Sequence, residues 1–361
     1  MSVITSAKAY LIDIEVETVR TDAVQAFLKQ ETIFVDITTD DGLTGTGYSY
    51  TIGTGGKAVL AMVEELIPTL PGRDARNVGG LWHQLFASTR ATTVGAITSL
   101  ALAAIDTALW DLRCLRAGEP LWRLAGGARQ RVPLYDTEGG WLHLSTDDLV
   151  IGAKASAAAG WPGVKVKVGK PTAVEDVARL RAVRDELGPE LQIMVDANQS
   201  FSVSEARRRA EAYRPLDLAW FEEPMPADDV AGHVALARST NIPVAVGESM
   251  YSLAQFRDYL ARGACSIVQV DVARIGGITP WLKVAHLAEA FNVDVCPHFL
   301  MELHVSLCAA VTNGRFVEHI PQLRAITHTT LEIADGHAVA PETPGLGIDW
   351  NRDAIDDRRV S

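Results

Sequence analysis

From Val132 onward, short apolar runs alternate with stretches that begin on a polar cap: Val132 to Tyr135, Val164 to Val168, Gln192 to Val195, Leu218 to Phe221, Val244 to Val246, Ile267 to Val270, Val293 to Cys296 and Arg315 to Val317. Buried runs of this length, separated by helices, are what a parallel sheet requires. Eight of them can close a barrel. Ser145 with Asp148, Thr172 with Glu175, Ser202 with Glu205 and Ser252 with Gln255 have capping-box spacing, so four intervening helices should start there. In the second, Val174, Val177, Leu180, Val183 and Leu187 fall three or four apart and should form one buried stripe. After the eighth run no strong helix is written, only strand and turn patterns that should return to the N-terminal part.

The first third is segregated differently. Ile4 to Glu15, Thr32 to Thr39 and Gly45 to Tyr50 read as a small antiparallel sheet, followed by helices over Lys57 to Ile67, Asn77 to Ala87 and Ala96 to Arg116. Strands followed by helices imply an α+β domain. Val16 to Glu31 is long for a hairpin connection and is expected to be a lid over the barrel mouth. The expected divisions are 1–125, a capping domain, 126–322, the barrel, and 323–361, a returning tail.

Ionisable residues stand at successive strand ends: Lys165 and Lys167, Asp196, Glu222, Glu248, Asp271, His298 and Glu318. In a parallel barrel these ends share one face, where active sites of this architecture are built. Asp196, Glu222 and Glu248 recur at a spacing of 26 residues, one strand-helix unit each. Three converging carboxylates repel unless a cation joins them, and an all-oxygen set favours Mg²⁺. A strand-end acid taken singly is as readily a helix cap or a solvated rim residue. Lys165 and Lys167 alternate, so both point to one face; a lysine held near Mg²⁺ with a second lysine in a restricted space should have a lowered pKa and could act as a base. Asp271 and His298 lie one unit apart and could pair, fixing the imidazole tautomer. Glu318 is either a donor to a developing oxyanion, if its pKa is raised, or a salt-bridge partner.

The chain has 33 Lys and Arg against 45 Asp and Glu, a net charge of −12, without a basic run. Nucleic-acid and anionic-membrane binding therefore lack their electrostatic footprint. Cys114, Cys265, Cys296 and Cys308 are scattered without a C-x-x-C spacing, and neither a signal pattern nor a membrane span is written. The expectation is a cytoplasmic homo-oligomer acting on a small molecule.

Lys165-Val-Lys167, Asp196-Ala-Asn198-Gln199, Phe221-Glu222-Glu223-Pro224, Gly247-Glu248, Asp271-Val-Ala-Arg-Ile-Gly276-Gly277, Pro297-His298-Phe299 and Val317-Glu318, with the tail motif Pro344-Gly345-Leu346-Gly347, together resemble the mandelate racemase subgroup of the enolase superfamily. The likeness covers nearly the whole chain. It implies a modified TIM barrel, (β/α)7β, with an α+β capping domain. It also implies one Mg²⁺ on Asp196, Glu222 and Glu248, with Lys167 and His298 as acid/base residues on opposite faces of the substrate and Asp271 orienting His298. Lys165 and Glu318 would bind the substrate carboxylate. Relatives of the muconate-cycloisomerase type place a lysine near the sixth strand end, where Asp271 stands here, so that subgroup is disfavoured.

Softer cues, Gly47-Tyr48-Ser49-Tyr50, Tyr135 to His143 and His298 to His304, are similar to acid-sugar dehydratases of the galactarate and talarate type. The reading is a Mg²⁺-dependent dehydratase of a sugar acid, with Arg20, Tyr50 and Asn198 as substrate contacts; Lys29 is a weaker candidate for a distal carboxylate. The alternatives are a racemase or epimerase of a 2-hydroxy acid and, from another class, a non-catalytic binding barrel.

Overall fold

The computed structural model describes residues 2–360. Three strands open it: β1 (Ile4–Thr21), β2 (Ala26–Thr39) and β3 (Thr44–Ile52), antiparallel in that order. Helices Gly56–Leu66, Val78–Ser88 and Ala96–Ala117 pack against them. The segment Val16 to Glu31, expected as a loop, is instead mostly strand. β1 and β2 continue as a hairpin beyond the sheet, in register from Ile14–Gln30 and Glu15–Lys29, then from Arg20–Phe27 after residues 16–19 bulge out opposite Leu28. Val19, Val24 and Leu28 there are more than 60% exposed. Cross-strand pairing carried a segment whose polar and apolar residues do not alternate cleanly, which is why periodicity missed it.

The barrel strands are β4 (Arg131–Asp136), β5 (Gly163–Lys167), β6 (Gln192–Asp196), β7 (Trp220–Glu222), β8 (Val244–Val246), β9 (Ile267–Val268), β10 (Asp294–Val295) and β11 (Val317–His319). Each pairs in parallel with the next from β4 to β10, and β11 returns to β4. Val295 bridges Gly314 just ahead of β11, with backbone bonds of 2.9 Å from Val295 to Asn313 and from Arg315 to Val295. That contact joins the two ends of the sheet. Seven helices fill the connections: Thr146–Ala158, Ala173–Leu187, Val203–Tyr213, Val230–Ala237, Leu253–Arg262, Ile278–Ala290 and Met301–Ala310. Among the described residues no α-helix of comparable length follows β11, so the architecture is (β/α)7β. A short hairpin, β12 (Ile333–Ala334) and β13 (His337–Val339), pairs with the start of β4.

All four expected caps accept a hydrogen bond from the backbone N–H three residues on, and Ser252 with Gln255 makes the full reciprocal box. The stripe on Ala173–Leu187 is corrected at its start: Val174 is 76% exposed, and Ala173 and Asp176 turn inward with Leu180 and Val183. Asp176 is tolerated there because it accepts from the backbone of Gly169 and Lys170 and from Tyr213, and pairs with Arg209.

Polar contacts fix the first helices on the barrel. Asp106 accepts from Thr279 N at 2.8 Å and Thr279 Oγ1 at 2.7 Å, capping helix Ile278–Ala290 from outside. Trp82 and Trp110 donate to Gly276 O and Thr279 Oγ1. The tail crosses back: Leu346 N donates to Asp111, Trp350 packs on Phe34 and Tyr48, and Val360 N donates to Leu11 O. Among the described residues no helix is long and apolar enough to cross a membrane. The four cysteines are buried and free.

Candidate active site

Strand alternation builds the site. Tyr135, Met194, Trp220, Ala245, Ile267, Cys296 and Phe316 form an apolar layer across the barrel interior. Side chains two positions on along a strand point the same way. Stepping on by two gives Thr137, Asp196, Glu222, Gly247, Gln269, His298 and Glu318, and on β5 the same step runs from Gly163 to Lys165 and Lys167. One layer plugs the barrel; the next carries the chemistry.

Asp196, Glu222 and Glu248 each present an oxygen within 4.8 Å of the others, and all three are buried. Glu248 reaches the site because Gly247, at φ +148, redirects the chain; a Cβ there would stand 2.8 Å from the Gln269 backbone. Lys165 Nζ lies 2.7 Å from Glu318, 2.9 Å from Glu222 and 3.8 Å from Asp196. Lys167 Nζ pairs with Asp196 and lies over the Trp141 ring. Arg274 holds Glu248 at 3.2 Å. Across the mouth, His298 Nδ1 is 2.9 Å from Asp271 Oδ2, and its Nε2 is 3.5 Å from Glu248.

Six carboxyls, Asp196, Glu222, Glu223, Glu248, Asp271 and Glu318, gather with three cations, Lys165, Lys167 and Arg274, in this largely buried volume. The surplus negative charge suits a divalent cation, and Glu248 Oε2 is buried without a hydrogen-bond partner. Burial, then the charge of Asp196, pushes the Glu222 carboxyl up to about 7 despite Lys165. Burial opposes ionisation of Asp271, but the bond and charge of His298 hold it down at about 2.

The surrounding carboxylates set the state of both lysines. Burial depresses both amines, but Glu222 and Glu318 around Lys165, and Asp196 beside Lys167, outweigh it and raise both pKa values. Glu318 takes the salt-bridge alternative: burial raises it, Lys165 and His298 hold it well below the usual carboxylate range, and it accepts from Thr137 Oγ1 and Phe299 N.

The peripheral candidates are more dispersed. Asn198 is half-buried; its N–H donates to Asp196 and its Oδ1 has no partner. The Tyr50 hydroxyl is behind the dyad, donating to Asp271 Oδ2 at 2.6 Å. Arg20 is buried beside β4 and the tail, 2.6 Å from Glu138 and bonded to Gln322 and Pro321. It lines a cavity of about 240 Å³ with Gln30, Glu138 and Gln322. Lys29 is paired with Asp13 at 2.7 Å on the hairpin. The hairpin tip lies on the mouth: Thr21 O accepts from Leu142 N, Thr21 Oγ1 meets His143, and buried Asp22 lies within reach of the Lys167 charge.

Sequence reasoning missed Arg274, Thr137 and Gln269. Arg274 stood inside the quoted Asp271 motif, but nothing marked it as the partner of Glu248. Gln269 is buried, with both amide atoms unpartnered; only the two-residue step from Ile267 places it in the reactive layer.

Two family models cover most of the chain: the mandelate racemase/muconate lactonizing enzyme N-terminal domain over residues 8–126, and the enolase C-terminal domain-like family over 148–354. The chain belongs to the mandelate racemase subgroup of the enolase superfamily. Among relatives in that superfamily, the L-talarate/galactarate dehydratase of Salmonella typhimurium is 35% identical over 322 residues, covering 89% of this chain and 81% of the relative. The 3,6-anhydro-α-L-galactonate cycloisomerase of Streptomyces coelicolor is 38% identical over 325 residues, covering 90% of each. The structure of L-talarate dehydratase from Polaromonas, complexed with Mg and L-glucarate, superposes with a TM-score of 0.95 at 36% identity, covering 100% of this chain and 98% of that one.

Proposed function

We propose that this chain is a Mg²⁺-dependent sugar-acid dehydratase that removes the proton α to a carboxylate, passes through an enediolate and eliminates the β-hydroxyl to give a 2-keto-3-deoxy acid. The observation that carries the reading is a buried carboxylate triad flanked by Lys167 on one side and the His298–Asp271 pair on the other. The relatives named for talarate, galactarate and galactonate dehydration support the substrate class.

Asp196, Glu222 and Glu248 would hold the ion, whose positive charge stabilises the oxygens that gain charge as the α-proton leaves. Lys165, now between Glu222 and Glu318, would turn to the substrate carboxylate, with Glu318 fixing the ammonium. A dication on Asp196 would take over the charge that now raises Lys167, leaving burial to depress the amine toward the range of a working base. His298, its Nδ1 held by Asp271, presents Nε2 to the opposite face and is the acid for the departing hydroxyl. Arg20 and Asn198 remain the candidates for holding the rest of the substrate, since the Tyr50 hydroxyl is taken up by Asp271.

A racemase or epimerase of a 2-hydroxy acid is the second reading, because an acid/base group on each face also serves inversion and two relatives are cycloisomerases, a class of isomerase. The experiment is a panel of mono- and diacid sugars, with Mg²⁺ or with chelator, scored for 2-keto acid. Metal-dependent keto acid from one of them supports the dehydratase. Epimers without keto acid would replace it with the second reading.

A further inference from the structure

The dyad has a third member, and it comes from the capping domain. Asp271 accepts four hydrogen bonds: Oδ1 from the N–H groups of Ala273 (2.8 Å) and Arg274 (3.1 Å), and Oδ2 from Tyr50 Oη (2.6 Å) and His298 Nδ1 (2.9 Å). An ionised carboxylate only accepts, so both Tyr50 and His298 must donate to Oδ2. That keeps a proton on Nδ1 in either charge state of the ring and turns Nε2 toward the site, 3.5 Å from Glu248. Beside these bonds the Tyr50 ring stacks on Phe299 with centroids 4.6 Å apart, and Phe299 stacks on His298 at 5.2 Å. Tyr50, Asp271 and Phe299 are all buried. Tyr50 stands on β3, so these contacts exist only where the first sheet is seated on the barrel.

We propose that Tyr50 is a positioning residue for His298: its hydroxyl fixes the Asp271 carboxylate, and thereby the tautomer and angle of the imidazole, so that seating of the capping domain completes the acid/base group on that face. This assignment takes Tyr50 away from direct substrate contact. Its kinetic consequence rests on the dehydratase reading; its spectroscopic consequence does not.

The test uses Tyr50→Phe, which keeps the ring stack and removes only the donor. In the Mg²⁺-loaded protein the hydrogen-bonded Nδ1 proton of His298 is followed by proton NMR, its resonance identified by its absence in His298→Asn. With one donor fewer, the carboxylate draws that proton more strongly, so the resonance moves downfield in Tyr50→Phe. An unmoved resonance overturns the proposal. On a sugar acid that the unmodified enzyme turns over, kcat should fall about tenfold with KM nearly unchanged, the pattern of an interaction felt in the transition state. Deuterium exchange at the face served by Lys167 should persist. A raised KM at unchanged kcat would make Tyr50 a substrate contact and overturn the assignment. If the unmodified protein turns over no sugar acid, the dehydratase reading fails while the NMR result still decides the role of Tyr50.

Discussion

Glu222→Gln should reverse the stability order of variant and wild type when Mg²⁺ is added. Glu222 is fully buried, with Oε1 2.9 Å from Lys165 Nζ and Oε2 accepting from Trp220 Nε1 at 2.9 Å. Its carboxyl sits at about 7 in the fold, above its ordinary value of 4.5. Ionising it in the fold therefore costs roughly 3 kcal/mol, at about 1.4 kcal/mol per pH unit. The folded pKa is the higher one, so this destabilisation accumulates as pH rises from the unfolded value through about 7 and is complete above it. The glutamine amide removes the charge but can accept from only one of Lys165 and Trp220, which returns about 1 to 2 kcal/mol. The metal-stripped variant should then melt a few degrees above the metal-stripped wild type at about pH 8, with the gap closing toward pH 5. At a hundredfold excess of Mg²⁺ over Kd the wild type gains about 2.7 kcal/mol, while the variant, short of one ligand charge, gains little. Scanning calorimetry with chelator and with excess Mg²⁺ reads both effects. A variant that keeps the full Mg²⁺ gain would refute Glu222 as a ligand, and a stripped variant that melts well below the wild type would refute the charge argument.

Other outcomes are expected. His298→Asn should stop elimination, a loss of about a hundredfold or more in kcat, while α-proton exchange on the Lys167 face survives; Lys167→Ala should abolish that exchange, and normal keto acid from the His298 variant would sink its role. Arg20→Met leaves Glu138 buried and unpaired, so melting should fall measurably and substrate ranking should change while the Mg²⁺ gain stays intact; equal loss on mono- and diacids would remove its carboxylate role. Gly140→Ala puts a Cβ where 1.7 Å separates it from Lys165 O; the strand carrying both lysines must shift, and a variant with wild-type melting and turnover would contradict that packing.

The barrel was legible because burial on both faces writes strands as apolar runs and because a cap residue opens each of four helices. The carboxylate triad was legible for a related reason: strand ends converge, and three acids at one spacing have few structural excuses. The hairpin was not, since residues 16–19 bulge and leave no period to read. The balance of charge on the lysines was not legible, because the count of carboxylates around each amine is a property of the folded layer, not of the strand. Tyr50 shows the same limit: it lies 221 positions from Asp271, and no local pattern announces a bond between a capping sheet and a barrel strand.

The most direct measurement is proton NMR of the Mg²⁺-loaded enzyme in deuterated water with L-talarate and galactarate, then with monoacid sugars, followed in time. The account predicts disappearance of one of these acids and appearance of its 2-keto-3-deoxy product, abolished by chelator and in Lys167→Ala. Deuterated or epimerised acid with no keto product across the panel would contradict it.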